Sequence, residues 1–202
     1  MNNDLTYNIN SKENSFCRKS VLLISFYNPK ALGIRYLEKS LKNAGIPVYV
    51  VILKKFNSRN PEEVTDKELN LLKEIINQLK PGLIGLSIMT SFYLDSVYKV
   101  NNMLKDNYNI PIVWGGVYPT LFPEKCLEHA DFIIRGEGEK PLVELAKVIF
   151  NYNCFNFSFY TELKNINNLA YKINIANENR IVVNELDRLC QNLDEYGYPE
   201  ID

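Results

Sequence analysis

The chain has 202 residues, enough for one domain to bury a hydrophobic core without disulfides or metals. Its 23 basic and 24 acidic side chains form no lysine- or arginine-rich stripe, which excludes a nucleic-acid backbone as partner. No apolar run reaches bilayer length and Met1 to Asn14 is polar, without the apolar core of a secretory signal, so the chain is expected to be cytoplasmic and to have no membrane partner.

Residues 1–18 read as a disordered segment. Val21 to Phe26 is an apolar, β-branched run between polar Arg18-Lys19-Ser20 and the turn-forming Asn28-Pro29, which predicts a buried first strand. From Ala31 to Asn43, Leu32, Tyr36, Leu37 and Leu41 recur at helical spacing, and Gly45 and Pro47 supply the stop. The unit repeats with a strand over Val48 to Leu53 and a helix over Asp66 to Leu79. It repeats again with a strand over Leu83 to Ser87 and a helix over Ser91 to Asp106. Ile112-Val113-Trp114 is the fourth strand, followed by a short helix around Glu124 to Glu128. Phe132-Ile133-Ile134 is the fifth, followed by a helix from Glu139 to Phe150.

Nearly continuous apolar strands separated by amphipathic helices predict a parallel sheet covered on both faces, because right-handed crossovers place the helices there. The expected fold is a flavodoxin-like, Rossmann-like α/β domain over residues 19–150, with five parallel strands in the order 2-1-3-4-5. Residues 151–184 read as an aromatic and Asn-rich extension followed by a small antiparallel hairpin of Leu169 to Ile173 and Arg180 to Val183. Residues 185–202 read as an extended linker. The cysteines, Cys17, Cys126, Cys154 and Cys190, are too scattered for a zinc or iron–sulfur ligand set and are expected to be reduced and unpaired.

In an open parallel sheet the ligand lies beyond the carboxyl ends of the strands, where strand order reverses. Ser87-Ile88-Met89-Thr90-Ser91 offers hydroxyls and helix-start amides to a polar ligand, or merely a helix cap through Thr90 or Ser91. Gly115-Gly116-Val117-Tyr118-Pro119-Thr120 allows a sharp turn and close approach of a flat ligand, or serves chain reversal alone. In Arg135-Gly136-Glu137-Gly138-Glu139 the glycines admit positive backbone angles and the glutamates can accept hydrogen bonds, although Glu139 also suits the first turn of a helix. The loop after the first strand, which contains Asn28 and Gly33, is neither a Gly-x-Gly-x-x-Gly fingerprint nor a phosphate loop.

These loops, in this order, resemble the cobalamin-binding domains found in front of radical SAM enzymes. The similarity is strongest in Trp114 to Glu124 and in Ala130 to Glu139, with further likeness in Leu32 to Leu37, the Ser87 to Thr90 loop and the tail Asn168 to Asp202. The tail carries the Leu193-Asp194 and Pro199-Glu200-Ile201-Asp202 that resemble the family's linker into its catalytic barrel, and the chain stops where that barrel is expected to begin. The barrel's Cys-x-x-x-Cys-x-x-Cys is absent, so an iron–sulfur cluster and S-adenosylmethionine belong to a complete family member and not to this chain, which alone is not expected to be catalytic.

The resemblance implies cobalamin as ligand and a radical SAM barrel, in cis or in trans, as partner. It implies contacts from Asn28, Gly33, Ser87, Met89, Thr90, Ser91, Gly115, Gly116, Val117, Tyr118, Pro119, Thr120, Arg135, Gly136, Glu137 and Gly138. No Asp-x-His-x-x-Gly follows the first strand. The single histidine, His129, reads as an exposed helix-end residue, so the likeness is to domains that bind cobalamin base-off without a histidine on cobalt. A degenerate flavodoxin-like interaction or sensor domain, keeping the glycine loops for folding alone, is the competing reading, and a flavin site has less support still.

Overall fold

β1 (Val21–Phe26) forms where the sequence offers six consecutive apolar or small residues, and all six are buried. In the computed structural model, which describes residues 19–54, 62–152, 156–175, 178–188 and 198, it is followed by α1 (Leu32–Asn43), β2 (Val48–Leu53) and α2 (Asp66–Leu79). Next come β3 (Leu83–Ser87), a 3-10 turn (Ser91–Tyr93), α3 (Leu94–Asn107), β4 (Ile112–Gly115), α4 (Val117–Leu121) and α5 (Pro123–Cys126). The chain continues through β5 (Phe132–Ile134), α6 (Glu139–Asn151), α7 (Phe157–Leu163), β6 (Leu169–Ile175) and β7 (Glu178–Val183). The segment 1–18, Cys17, Cys154, Cys190 and most of the linker, with Leu193-Asp194 and Pro199 to Asp202, lie outside the described residues.

The five parallel strands take the order 2-1-3-4-5, but the sheet has seven strands, not five. The predicted hairpin is not an appendage: β6 pairs antiparallel with β5 through Phe132 and Tyr171, Ile133 and Ala170, and Ile134 and Leu169, and β7 pairs with β6. The physical reason lies in β5. Its three residues are buried on both faces, and an apolar strand of that kind cannot remain an open edge. Leu169, Ala170 and Tyr171 cover it and are themselves fully buried. Sequence pattern also missed α7, because only Phe159 and Leu163 of its seven residues are buried and so short a run carries little periodicity.

Alternation along the strands sorts the core into two layers. Leu22, Ile24, Ile84, Leu86, Ile112, Trp114 and Ile133 pack with α2, α3 and α5 on one face. Val21, Leu23, Leu83, Val113, Phe132 and Ile134 pack with α1, α6 and α7 on the other. Among the described residues no helix is long and apolar enough to cross a membrane.

Candidate functional site

At the carboxyl ends of β3, β4 and β5, on the face covered by α1 and α6, the two layers do not close. A cavity of about 170 Å³ remains there. It runs from the strand ends down to Leu23, Gly85 and Val113 in the body of the sheet. Ile34, Leu37 and Leu142 form its helical wall, and Ser87, Met89, Gly115, Gly116, Ile134, Gly136, Glu137, Gly138 and Glu139 its upper part.

Glycines make this space, and they do so in different ways. Gly116 sits at φ 109, and a Cβ there would lie 2.5 Å from the carbonyl oxygen of Ile88, so the turn accepts no side chain. The two loops interlock at that point: the Ile88 amide donates to the Gly115 carbonyl at 2.8 Å, and the Tyr118 amide donates to the Ile88 carbonyl at 3.2 Å. Gly33 differs, having an ordinary backbone angle and nothing within 4 Å of where its Cβ would be. Folding therefore has no need of glycine at position 33. Its effect is to leave open the space that the first turn of α1 would otherwise fill. Gly85 in the middle of β3 is tighter: a Cβ there would press on the end of the Leu23 side chain at 2.8 Å and touch Val113 at 3.6 Å, so a side chain would have to displace Leu23.

Of the residues expected from the sequence, the structure gathers Gly33, Ser87, Met89, Gly115, Gly116, Gly136, Glu137 and Gly138 around the cavity. The others stand apart. Asn28 accepts from the Lys30 amide at 3.0 Å in the β1–α1 loop. Thr90 caps the 3-10 turn, accepting from the Phe92 amide at 3.2 Å, and Ser91 is exposed at its start. Val117 to Thr120 belong to α4 and not to an open loop. This turns Tyr118 and Pro119 into the core and leaves Val117 exposed. Thr120 ties two loops together, its hydroxyl donating to the Gly116 carbonyl at 2.8 Å and accepting from the Gly136 amide at 2.9 Å. The Arg135 guanidinium turns away from the cavity toward the Asn184 carbonyl, at 3.4 Å.

Residues that the sequence did not single out complete the site. Leu23, Ile34, Leu37, Val113, Ile134 and Leu142 look like ordinary core residues, and only Gly85 inside a strand signalled a close approach. Asn168 is a buried hub at φ 66, a backbone angle that asparagine tolerates better than most residues. Its side-chain amide donates to the Glu137 carbonyl at 3.1 Å, and its side-chain oxygen accepts from the Asp187 amide at 2.6 Å. Its backbone carbonyl accepts from the Arg135 amide at 2.9 Å, so one residue fixes the β5–α6 loop against β6.

Glu139 at the slot and Cys126 in α5 are both perturbed. Burial raises the Glu139 carboxyl above the ordinary glutamate range against the opposing pull of the Gly138 and Glu139 amides, and the neighbouring Glu137 charge raises it further. Burial pushes the Cys126 thiol up to about 11, and this cysteine is free, as expected. His129 is not the exposed residue that the sequence suggested. It is half-buried on the opposite face, its ring stacked on Trp114 at 5.8 Å and tilted against Tyr98 at 4.5 Å. Asn101 holds this cluster, donating to the His129 carbonyl at 3.0 Å and accepting from the Trp114 indole at 3.1 Å.

An open parallel sheet with a glycine-lined slot beneath its strand ends defines a class of α/β ligand-binding domain. Residues 20–146 match the B12 binding domain, and the chain belongs to that family. It is 35% identical over 136 residues to an uncharacterized methyltransferase of Pyrococcus horikoshii, a match covering 65% of this chain and 27% of that protein. The chain thus spans about a quarter of the length of that curated relative. The methanol:cobalamin methyltransferase complex MtaBC of Methanosarcina barkeri superposes with a TM-score of 0.51 at 15% identity, covering 72% of this chain and 51% of the matched one. A cobalamin-binding protein of Desulfitobacterium hafniense superposes with a TM-score of 0.49 at 14% identity, covering 65% and 59%. The structural likeness is one of fold.

Proposed function

We propose that this chain binds cobalamin base-off, with no histidine of its own on cobalt, and serves as the cofactor-binding part of a radical SAM enzyme whose barrel is supplied in cis or in trans. One observation carries the reading: a largely apolar slot beneath the carboxyl ends of the strands, lined by Gly85 and kept open by Gly33 where the fold does not demand glycine. Its volume corresponds to about six waters, the scale of a fused two-ring heterocycle such as the nucleotide base of cobalamin. Its walls offer van der Waals contact along their length and a few polar groups at the mouth, as small-molecule sites do.

The residues that would hold the displaced base are those of the slot, and Ser87, Met89, Gly115, Gly116, Gly136, Glu137 and Gly138 would hold the ring at its mouth. Asn28, Thr90, Ser91 and Val117, outside the slot at the same end of the sheet, would meet the ring's periphery. Tyr118, Pro119, Thr120 and Arg135 would act by holding the loops in place. Histidine-free binding is supported by the position of His129, which stacks on Trp114 on the face covered by α2 and α3, away from the slot. When bound, cobalamin supplies methyl transfer or radical chemistry at cobalt, while the protein contributes binding and orientation. The radical SAM context rests on the paired signatures of Trp114 to Glu124 and Ala130 to Glu139, and the longer relative's description as a methyltransferase is compatible with it.

Titration of the purified chain with hydroxocobalamin, followed by its visible spectrum, tests the proposal. Uptake with the spectrum of displaced base is expected. Gly33→Leu should weaken uptake by about tenfold or more, because extra carbons in a filled slot are poorly accommodated. The same variant should leave the melting temperature unchanged or slightly raised, since leucine is the better helix former. No retained corrin at micromolar protein would overturn the reading in favour of an interaction domain.

A further inference from the structure

Glu139 is the one feature of the slot that a site built only for apolar contact does not explain. It lines the cavity at the first turn of α6, yet its Oε2 is buried without a hydrogen-bond partner. The nearby amides of Gly138 and of Glu139 itself favour its charged form, yet neither satisfies this oxygen. A buried polar atom without a partner is costly and is commonly met by a ligand or a water. The cavity it lines is mostly apolar, with Ile34, Leu37, Ile134 and Leu142 on its walls and Ser87 and Glu137 as the other polar side chains.

We propose that Glu139 is a specificity-determining residue of this slot, its Oε2 sharing a proton with a ring nitrogen of the displaced base, so that the chain selects cobamides whose lower base is a nitrogen heterocycle. The inference rests on the reading of the slot as the site of that base. A benzimidazole or purine base offers an in-plane nitrogen lone pair when it leaves cobalt, whereas a phenolyl base offers none. A carboxyl kept in its protonated form donates to such a nitrogen. Burial, which favours that form in Glu139, suits the group to the role. No covalent bond changes, and the shared proton comes from solvent.

Four probes test it by their binding to the purified chain: hydroxocobalamin, the adenine-based cobamide, the p-cresolyl cobamide and cobinamide, which has no nucleotide tail. The benzimidazole and adenine forms must first give up the bond from base to cobalt, and the p-cresolyl form has none to give up, so each probe is compared between the native chain and the variant. Glu139→Leu is expected to weaken the benzimidazole and adenine forms by about tenfold, the scale of one buried hydrogen bond, and to leave the p-cresolyl form unchanged. Glu139→Gln, whose amide also donates, should retain most of the native affinity for the two heterocyclic forms. Cobinamide affinity should be the same in all three proteins, and thermal melts check that each is folded. No loss of the two heterocyclic forms in Glu139→Leu, or an equal loss of the p-cresolyl form, overturns the role of Glu139 while leaving cobalamin binding intact. Failure of every probe to bind the native chain overturns both readings. A loss in Glu139→Leu confined to one of the two heterocycles supports the role and narrows the base.

Discussion

The two faces of the sheet are built from the same strands and covered by similar amphipathic helices, yet only one is packed to the strand ends. On the α2 and α3 side, Ile84, Leu86 and Trp114 fill the space beneath the helices, and His129 and Tyr98 close over the indole. On the α1 and α6 side, the matching positions of β3 and β4 are Gly85 and Val113, and the helix above contributes Gly33. The cavity is therefore a property of side-chain choice on one face, since the backbone pleat is common to both. The closed face supports the fold and the open face presents a site.

Substitutions that act on one face and spare the other would sharpen or break that contrast. The largest effect is expected from Trp114→Ala, which removes a fully buried ring together with the partner of Asn101 and His129, and should cost about 3–5 kcal/mol. Urea unfolding measures it. If the faces are separate in role, cobalamin uptake by the folded fraction survives at a temperature where the variant remains native. Loss of uptake without loss of stability would contradict the division.

Asn168→Ala is expected to cost about 2–3 kcal/mol, from two lost hydrogen bonds and a left-handed angle that alanine tolerates poorly. Asn168→Gly removes the same bonds but keeps the angle accessible, so it should be milder by about 1 kcal/mol. Chemical denaturation separates the two contributions, and an alanine variant no worse than the glycine one would remove the strain argument. Gly33→Leu lies further down the scale for stability, within about 1 kcal/mol of the native chain, although its effect on uptake is large. That separation of binding from stability is the sharpest form of the comparison.

The strands and most helices were legible in the sequence because each is a local pattern. β1, β2, β3 and β5 follow continuous apolar runs and α2 follows its own period, closed at its start by the Thr65 and Glu68 capping box. The glycine loops could be read as turns for the same reason. The slot could not, because Leu37 and Leu142 have the same spacing whether they press on a neighbour or face a cavity. Only the separation of α1 from α6 decides between these, and it is set by long-range packing. Tyr118 was misplaced among the loop residues because α4 spans only five positions, too few to show a period. Asn168 resembled any hairpin-flanking asparagine until its partners from Arg135 to Asp187 were brought together in space. His129 illustrates the same limit, since its environment comes from Tyr98 and Trp114 and not from its sequence neighbours.

The smallest predicted effect concerns that histidine. Burial lowers its pKa from 6.5, aided by Lys105, Lys172 and Lys125 and opposed by Glu128. A histidine whose folded value is depressed is protonated more readily in the unfolded chain. It therefore contributes stability that is present above about 6.5 and lost as the pH falls toward and through the folded value. The slope is expected to be under one proton, because the ring is only half-buried and solvent screens it. Unfolding midpoints measured between pH 7.5 and pH 5 should fall less in His129→Phe, which keeps an aromatic ring against Trp114 and cannot titrate. Trp114 is the only tryptophan in the chain, so its fluorescence should also change with pH in the native protein and not in that variant. Identical pH slopes in the two proteins would place the acid sensitivity elsewhere and leave the stacked ring a purely steric part of the closed face.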